Sequence, residues 1–322
     1  MKQKRIPFFY VLRALCAIQV IIIWHGLSYY YEGSIFLSIL APFTGGALAC
    51  FTCISGMFNN TSGKKVISFY NSRIKRFYLP YILAYVSLLL IGYNSFLIKN
   101  TLFSILGLSC FLGGQPKTLW YISMLIVFYI ITPILCSETK EGIRDVHGTV
   151  VRCSLFFLIF MVVYFFLPNF EIGLIQYFPF YAIGLCISPT TLIASLENRR
   201  KTEIGILVLF LILYVIIVGV CLSNIKNAII CSIGFCFYIV LASVLSKCNL
   251  LVKWFSLCSE ASMFAYLYHR LFFYICIVIF GRYGNLLTTI CMLLLVFPTS
   301  YYLQKKYNLL VAKYEKIVSI EH

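Results

Sequence analysis

VLRALCAIQVIIIWHG, residues 11–26, is an apolar run interrupted mainly by Arg13, Gln19 and His25. A run of this length predicts a helix that spans a membrane. An arginine at the centre of such a helix costs about 3 kcal/mol on insertion scales, so we expect a chain that keeps Arg13 and the titratable His25 there to use both. The alternative is structural: the arginine reaches the inner headgroups, and the histidine is hydrogen-bonded within the bundle.

The composition extends this interpretation to the whole chain. Of the 322 residues, 61% are hydrophobic and 11% are charged, whereas average usage is about 25% charged residues. Apolar runs of about 20 residues follow one another from end to end, and in lipid such runs satisfy their backbone hydrogen bonds only as helices. We therefore predict an all-α, polytopic membrane protein that forms one domain over residues 1–322, with no appended soluble domain and no cleaved signal peptide.

Eleven apolar segments are candidates for membrane spans, and one of them is set apart. They cover residues 8–31, 35–58, 77–95, 101–114, 118–136, 152–168, 171–188, 204–222, 226–246, 256–280 and 286–303. Segment 101–114 is shorter than the ~17 residues that a crossing helix needs, and it contains three glycines. We interpret it as re-entrant or interfacial, which leaves about ten transmembrane helices.

The net charge of +16 is distributed as membrane topology demands, and not as on a nucleic-acid surface. With the N-terminus inside, most lysines and arginines fall in loops assigned to the cytoplasm. The external loops carry only Lys99, Lys117, Lys226 and Arg282. This positive-inside asymmetry predicts a multi-pass protein of the plasma (inner) membrane, with both termini cytoplasmic, that contacts membrane lipid and binds no nucleic acid.

The polar side chains of the first helix project from it in three directions. At 100° per residue, Arg13 and His25 point about 120° apart, and Gln19 covers the third direction. Polar groups on all sides indicate a helix enclosed by others. Helix 1 is therefore predicted to be central, with Arg13 near the cytoplasmic boundary and His25 in the outer half of the membrane.

Two arginines mark the inner end of the third span. Arg73 and Arg76 are three residues apart, so on an α-helical turn they share a face. Two guanidiniums at this boundary suit phosphate, because each donates bidentate hydrogen bonds. The alternative is simple anchoring of the span beside anionic lipid.

A third polar cluster lies near the C-terminus, in EASMFAYLYHR, residues 260–270. His269 and Arg270 stand about halfway along their span, where either is costly, and Tyr266 lies on the same face as His269. A structural polar contact between helices is the alternative. Among the 14 cysteines, Cys50 and Cys53 have CxxC spacing, but they lie within a span and far from a histidine cluster, so no metal site is predicted.

Together these clusters resemble the membrane-bound acyltransferase family 3, the integral-membrane O-acyltransferases of glycans. The motifs that carry the resemblance are LRA at 12–14 followed by His25, FTCISG at 51–56, Arg73-x-x-Arg76 with Pro80, LWYIS at 119–123 with Tyr129 and Pro133, and Ser262-x-x-x-Tyr266-Leu-x-His269. They occur in the family's order and run through nearly the whole chain.

The spacing in helix 1 departs from the family pattern. The family usually places ten residues between the arginine and the histidine, which aligns them within about 20° on an α-helix. Here eleven residues separate Arg13 from His25. A π-bulge, which is frequent at functional sites, would restore the alignment. Glu260 and Arg270 receive no role from the pattern.

The resemblance implies transfer of an acyl group, usually acetyl, from cytoplasmic acyl-CoA to a sugar hydroxyl, with acetyl-CoA as donor substrate and no metal. His25 is then the general base or a transient acyl carrier, and Arg13 assists it. Arg73 and Arg76 bind the phosphates of CoA, while Trp120, Tyr266 and His269 line the side of the carbohydrate acceptor. The expected acceptor is lipid-linked or nascent, and a glycan-synthesis complex is an expected partner.

Two other functions fit the same residues. A translocase for a lipid-linked saccharide or polysaccharide would also need ten spans and buried charges. The translocase has no reason to bind acetyl-CoA through Arg73 and Arg76. The other function is a scaffold within a glycan-synthesis complex, in which no single polar substitution would matter.

Overall fold

A computed structural model of the protein describes residues 6–27, 34–59, 66–92, 97–114, 116, 118–138, 144–189, 192, 201–280 and 286–318. Almost all of these residues are helical. Helix α1 (Pro7–Ala17) continues directly as the π-helix π1 (Ile18–Leu27), and Pro7 suits the first turn because that position needs no backbone N–H.

The remaining elements follow in chain order. They are α2 (Ile35–Leu40), a 3₁₀ turn (Ala41–Phe43), α3 (Thr44–Phe58), α4 (Val66–Arg73), the π-helix π2 (Ile74–Tyr78), α5 (Leu79–Leu90), α6 (Ile98–Ile105), α7 (Ser109–Leu112), α8 (Trp120–Leu135), β1 (Ser137–Glu138), β2 (Arg144–Asp145), α9 (Val146–Phe166), α10 (Gly173–Cys186), α11 (Lys201–Cys221), α12 (Ile225–Leu245), α13 (Asn249–Phe280) and α14 (Leu286–Val318). The strands β1 and β2 form a two-residue antiparallel pair.

Apolar helices long enough to cross a membrane confirm the predicted class. Within the described residues there are five: Pro7–Leu27, Ile35–Phe58, Val146–Phe166, Ile225–Leu245 and Asn249–Ile279. Three shorter apolar helices accompany them, at Trp120–Leu135, Gly173–Cys186 and Leu207–Val220. The protein is therefore an all-α membrane protein, while the count of ten crossings stays a prediction.

Segment 101–114, which was set apart as re-entrant or interfacial, contains no long helix. The short helices α6 and α7 are separated by a turn at Gly107, whose φ is +71°. A positive φ of this kind is readily adopted only by glycine, so the sequence itself ends the first helix.

Several helices extend beyond the predicted spans. The predicted segment 256–280 belongs to α13, which begins at Asn249, and the segment 286–303 belongs to α14, which ends at Val318. Hydropathy marks only the part of a helix that suits lipid, whereas the backbone hydrogen bonds continue through polar residues.

The chain divides into two compact units by its internal contacts. The first contains residues 1–47 and 237–322, and the second contains residues 48–236. In the first unit, α13 and α14 pack against each other, α1 packs along α13, and π1 contacts both α13 and α14. Gln19 fixes π1 further, because its Nε2 donates to the backbone oxygen of Leu40 (2.8 Å) and to Oγ1 of Thr44 (3.2 Å).

The second unit has an aromatic and hydroxyl-rich core. The Thr132 and Tyr181 hydroxyls are 2.6 Å apart and join α8 to α10. The Tyr81 hydroxyl lies 3.0 Å from that of Ser123 and joins α5 to α8. Such bonds between helices supply specificity where lipid removes much of the hydrophobic driving force.

Candidate active site

The π-helix in helix 1 is the feature that the Arg13–His25 spacing requires. Arg13 lies in α1, and π1 begins at Ile18 and contains His25. Each residue of a π-helix turns the chain through a smaller angle than in an α-helix, because its hydrogen bonds run from residue i to i+5. The π segment therefore brings His25 back toward the helix face that carries Arg13, and this offsets the additional residue between them.

His25 meets the C-terminal polar cluster inside the first unit. Its Nδ1 lies 2.8 Å from Nη2 of Arg270, and both side chains are buried. The ring of His25 also lies against that of His269, with centroids 4.8 Å apart and planes inclined by 31°. His25 and His269, which lie near opposite ends of the sequence, thus form a buried pair beside Arg270.

His269 is positioned by its own helix, α13. Its Nδ1 lies 2.7 Å from the backbone oxygen of Tyr266, and Phe273 packs against its ring with centroids 5.6 Å apart. The side chain has no exposed surface, and no donor or acceptor among the described residues reaches its Nε2. The ring is therefore held at one nitrogen and left open at the other.

One buried face of α13 carries this cluster. Its members are spaced by three or four residues, the spacing of a single helical face; they are Ser259, Ser262, Tyr266, His269 and Phe273, all buried. The sequence predicted that Tyr266 and His269 share this face. It did not predict that Arg270, left without a role, would bind His25; the available signal was the cost of an arginine halfway along a span.

Arg73 lies in the second unit, inside a box of aromatic rings. Its guanidinium carbon is 5.2 Å from the ring centre of Phe69, 5.7 Å from that of Phe77 and 5.6 Å from that of Tyr129. Cations are attracted to the faces of such rings. The box holds a long side chain in one place.

Three of the sequence motifs converge on this arginine. Nη2 of Arg73 donates to the backbone oxygen of Phe58, which follows the FTCISG motif, at 3.4 Å. Tyr129, from the motif of α8, donates to the Ser55 hydroxyl at 3.4 Å. No carboxylate pairs with Arg73 among the residues that the structure describes, and its Nε is buried without an acceptor there.

The two arginines of this motif differ in environment. Arg73 is half-buried and ends α4, whereas Arg76 is exposed and lies in π2. The prediction that Arg73 and Arg76 share a face assumed an α-helical turn. The turn between them is instead part of π2, which begins directly after Arg73.

Trp120 is the first residue of α8. Its ring lies 5.9 Å from Tyr121 and 6.2 Å from Tyr177, measured between centroids. Gly173 lies so close that a Cβ there would be 2.8 Å from Cζ3 of Trp120. The indole is half-buried among aromatic neighbours, with part of its surface still accessible.

The described residues contain no group of three or more His, Cys, Asp or Glu side chains placed to hold a metal ion.

Apolar helices long enough to span a membrane define a polytopic membrane protein, and its first unit contains a buried pair of histidines beside an arginine. A model of a known family, described as an acyltransferase domain, matches residues 6–305. The chain thus belongs to the membrane-bound acyltransferase family 3, the family that its motifs resemble. Comparisons with curated proteins and with solved structures find no match.

Proposed function

We propose that the protein transfers an acyl group, most simply acetyl, from cytoplasmic acyl-CoA to a hydroxyl of a cell-surface or lipid-linked saccharide. It does so in the plasma membrane, through about ten transmembrane helices, with both termini in the cytoplasm. The family supplies the reaction class, and the donor and acceptor are inferred from the side chains of the two units.

The observation that carries the proposal is the buried cluster of His25, His269 and Arg270. Transfer of an acyl group to an alcohol needs a base for the hydroxyl proton and donors for the oxygen of the thioester carbonyl. Imidazoles 4.8 Å apart and a guanidinium within hydrogen-bond distance of one of them supply both kinds of group. Arg13 belongs to the same helix as His25 and serves the thioester end of the donor.

The donor's phosphates bind at Arg73 and Arg76. CoA carries several phosphate charges that stay in the cytosol, and the positive-inside pattern puts this motif on that side. The aromatic box supports the assignment, because it orders the Arg73 guanidinium before an anion arrives. An arginine side chain that is already ordered loses less conformational entropy on binding an anion than a mobile side chain does.

We assign the saccharide acceptor to Trp120 of the second unit and to Tyr266 and His269 of the first. Trp120 presents the surface of an amphipathic ring at the start of α8, and Tyr266 and His269 belong to the buried face of α13. Because the chain is proposed to act on a lipid-linked or nascent glycan, enzymes of glycan synthesis are the expected neighbours in a complex.

The deciding experiment measures donor binding and transfer together. Purified protein in nanodiscs is titrated with acetyl-CoA, and membrane vesicles that contain the cell's own glycans are incubated with radiolabelled acetyl-CoA. We expect micromolar to millimolar binding, as for typical enzyme substrates, and label that alkali releases from the glycan fraction.

The double variant Arg73→Ala/Arg76→Ala is expected to lose acetyl-CoA binding. The matched control, Lys247→Ala/Lys253→Ala, removes two other positive charges on the same predicted side, one in the turn before α13 and one near the start of α13, and should bind normally. Export of a saccharide without acetyl-CoA binding or label transfer would contradict the proposal and favour a translocase.

A further inference from the structure

The hydrogen bond between Arg270 and His25 fixes the tautomer of His25. A guanidinium has only donors, so Nδ1 of His25 must be the acceptor in the 2.8 Å contact. The neutral ring then carries its proton on Nε2. Nδ1 cannot take a second proton unless the bond to Arg270 breaks, so His25 presents a donor, and not a free lone pair, at its other nitrogen.

The hydrogen bond of His269 fixes the opposite tautomer. A backbone carbonyl only accepts, so Nδ1 of His269 must donate to the oxygen of Tyr266 at 2.7 Å. The backbone thereby assigns the proton of this ring, as it commonly does for functional histidines. The lone pair is left on Nε2, the fully buried atom that no donor among the described residues reaches.

An unpartnered acceptor buried at 0% exposure is unfavourable in the resting protein. It is retained where a substrate supplies the missing donor. A saccharide hydroxyl is such a donor, and the facing ring of His25 lies 4.8 Å away between centroids.

We propose that His269 is the general base and that His25 is a hydrogen-bond donor to the reacting carbonyl, held in its tautomer by Arg270. The inference rests on the proposed function and assigns roles within it. It differs from the expectation drawn from the sequence, in which His25 takes the proton or carries the acyl group.

The chemistry balances without another reagent. The saccharide oxygen attacks the thioester carbon while its proton moves to Nε2 of His269, and Nε2–H of His25 stabilises the negative charge on the former carbonyl oxygen. The C–S bond then breaks, and the thiolate of CoA receives the proton from His269. The products are the saccharide ester and free CoA, and both histidines return to their starting tautomers.

Substitution of each histidine by Asn or Gln tests the two roles separately, because the side-chain amide takes the position of only one of the two ring nitrogens. The shorter Asn side chain places its amide near the position of Nδ1, and the longer Gln side chain places its amide near that of Nε2. His269→Asn keeps a donor for the Tyr266 oxygen but has no base. We expect its rate at saturating acetyl-CoA to fall by about 10²-fold or more, the usual contribution of a general base, with the KM for acetyl-CoA unchanged.

His25 should respond differently. Gln at position 25 supplies an N–H near the Nε2 position, so His25→Gln is expected to retain at least tenfold more transfer than His25→Asn. The Asn variant keeps an acceptor for Arg270 but loses the donor, and a lost oxyanion donor lowers kcat by about 10²–10³-fold.

Arg270 is a positioning residue, and its variants report on this role. Arg270→Lys keeps a donor near Nδ1 of His25 and should recover part of the kcat that Arg270→Met loses, with little change in the KM for acetyl-CoA. A purely structural role would instead lower the amount of folded protein in both variants.

The outcomes are measured as label transfer from acetyl-CoA to membrane glycans per amount of folded protein, with acetyl-CoA binding as the test of folding. Transfer by His269→Asn within threefold of wild type would overturn the inference. So would a His25→Gln variant as inactive as His25→Asn. In either case the wild-type protein still transfers acetyl, whereas no transfer by the wild-type protein means that the proposed function itself has failed.

Discussion

Gly56 of α3 and Gly184 of α10 face each other across a helix crossing too close for any side chain. A Cβ on Gly56 would lie 2.3 Å from the backbone oxygen of Tyr181, and one on Gly184 would lie 2.1 Å from that of Cys53. Small residues at helix interfaces allow this approach in membrane proteins. Gly56 is the last residue of the FTCISG motif, so the crossing explains why that position is glycine here.

Alanine at either glycine is therefore expected to destabilise the second unit. Overpacking of this kind typically costs about 1–3 kcal/mol, and here backbone atoms must move. Thermal unfolding followed by size-exclusion chromatography in detergent measures the loss. Gly205→Ala is the matched control, because nothing lies within 4 Å of a Cβ there and alanine favours a helix; an equal loss in this control would remove the explanation.

Gln19 is expected to stabilise helix 1 and to take no part in the reaction. Its amide donates to Leu40 and Thr44, and hydrogen bonds between membrane helices average about 0.6 kcal/mol. Gln19→Leu should lower the free energy of unfolding by about that amount, or up to about 2 kcal/mol if the Leu40 oxygen stays unpaired. Transfer per folded molecule should remain near that of wild type, and a loss above tenfold at normal stability would show a direct role.

His25→Ala is expected to lower transfer by at least about 10²-fold, as the loss of an oxyanion donor does, and to leave the amount of protein in the membrane unchanged. The substitution removes the ring that Arg270 binds and that packs on His269, while π1 keeps its contacts through Gln19. Label transfer and immunoblotting of membranes measure both quantities. Trp24→Leu is the control, since this neighbouring side chain is exposed; wild-type glycan acylation by His25→Ala would exclude a role for the cluster.

The aromatic box predicts a graded effect on donor binding. Tyr129→Phe keeps a ring beside Arg73 and should leave the Kd for acetyl-CoA within about twofold, whereas Tyr129→Leu loses the cation–π contact. Because such contacts contribute about 0.5–2 kcal/mol, the Kd should rise by about 2–30-fold. Isothermal titration of the two variants distinguishes them, and equal affinities would mean that the ring does not order Arg73.

Much of this architecture is predictable from the sequence because lipid leaves the backbone few choices. All eleven apolar segments contain helix in the described residues, and segment 101–114, which is short and contains three glycines, forms two short helices. From the extra residue between Arg13 and His25, the sequence showed only that a π-bulge would restore their alignment, and the structure contains a π-helix there. The second π-helix, beside Arg73, was not, because an R-x-x-R spacing is equally compatible with α-helical geometry.

The assembly of the site was less predictable. Arg270 and His25 are 245 residues apart, and no periodicity within one helix shows which distant helix it will contact. The tautomers depend on a backbone oxygen and a guanidinium that only three-dimensional packing brings into place. The aromatic box likewise joins three motifs, and nothing in their sequences indicates that they lie close together in the fold.

The bond between Arg270 and His25 joins two residues that are synthesised at different stages of translation, since 245 positions separate them. Helix α1 enters the bilayer early in translation, when the ribosome has not yet reached the codon for Arg270. Until α13 follows, His25 has no guanidinium to hold its tautomer and no His269 to face. In the proposed mechanism, a chain that ends before α13 therefore lacks both the residue that fixes the His25 tautomer and the general base.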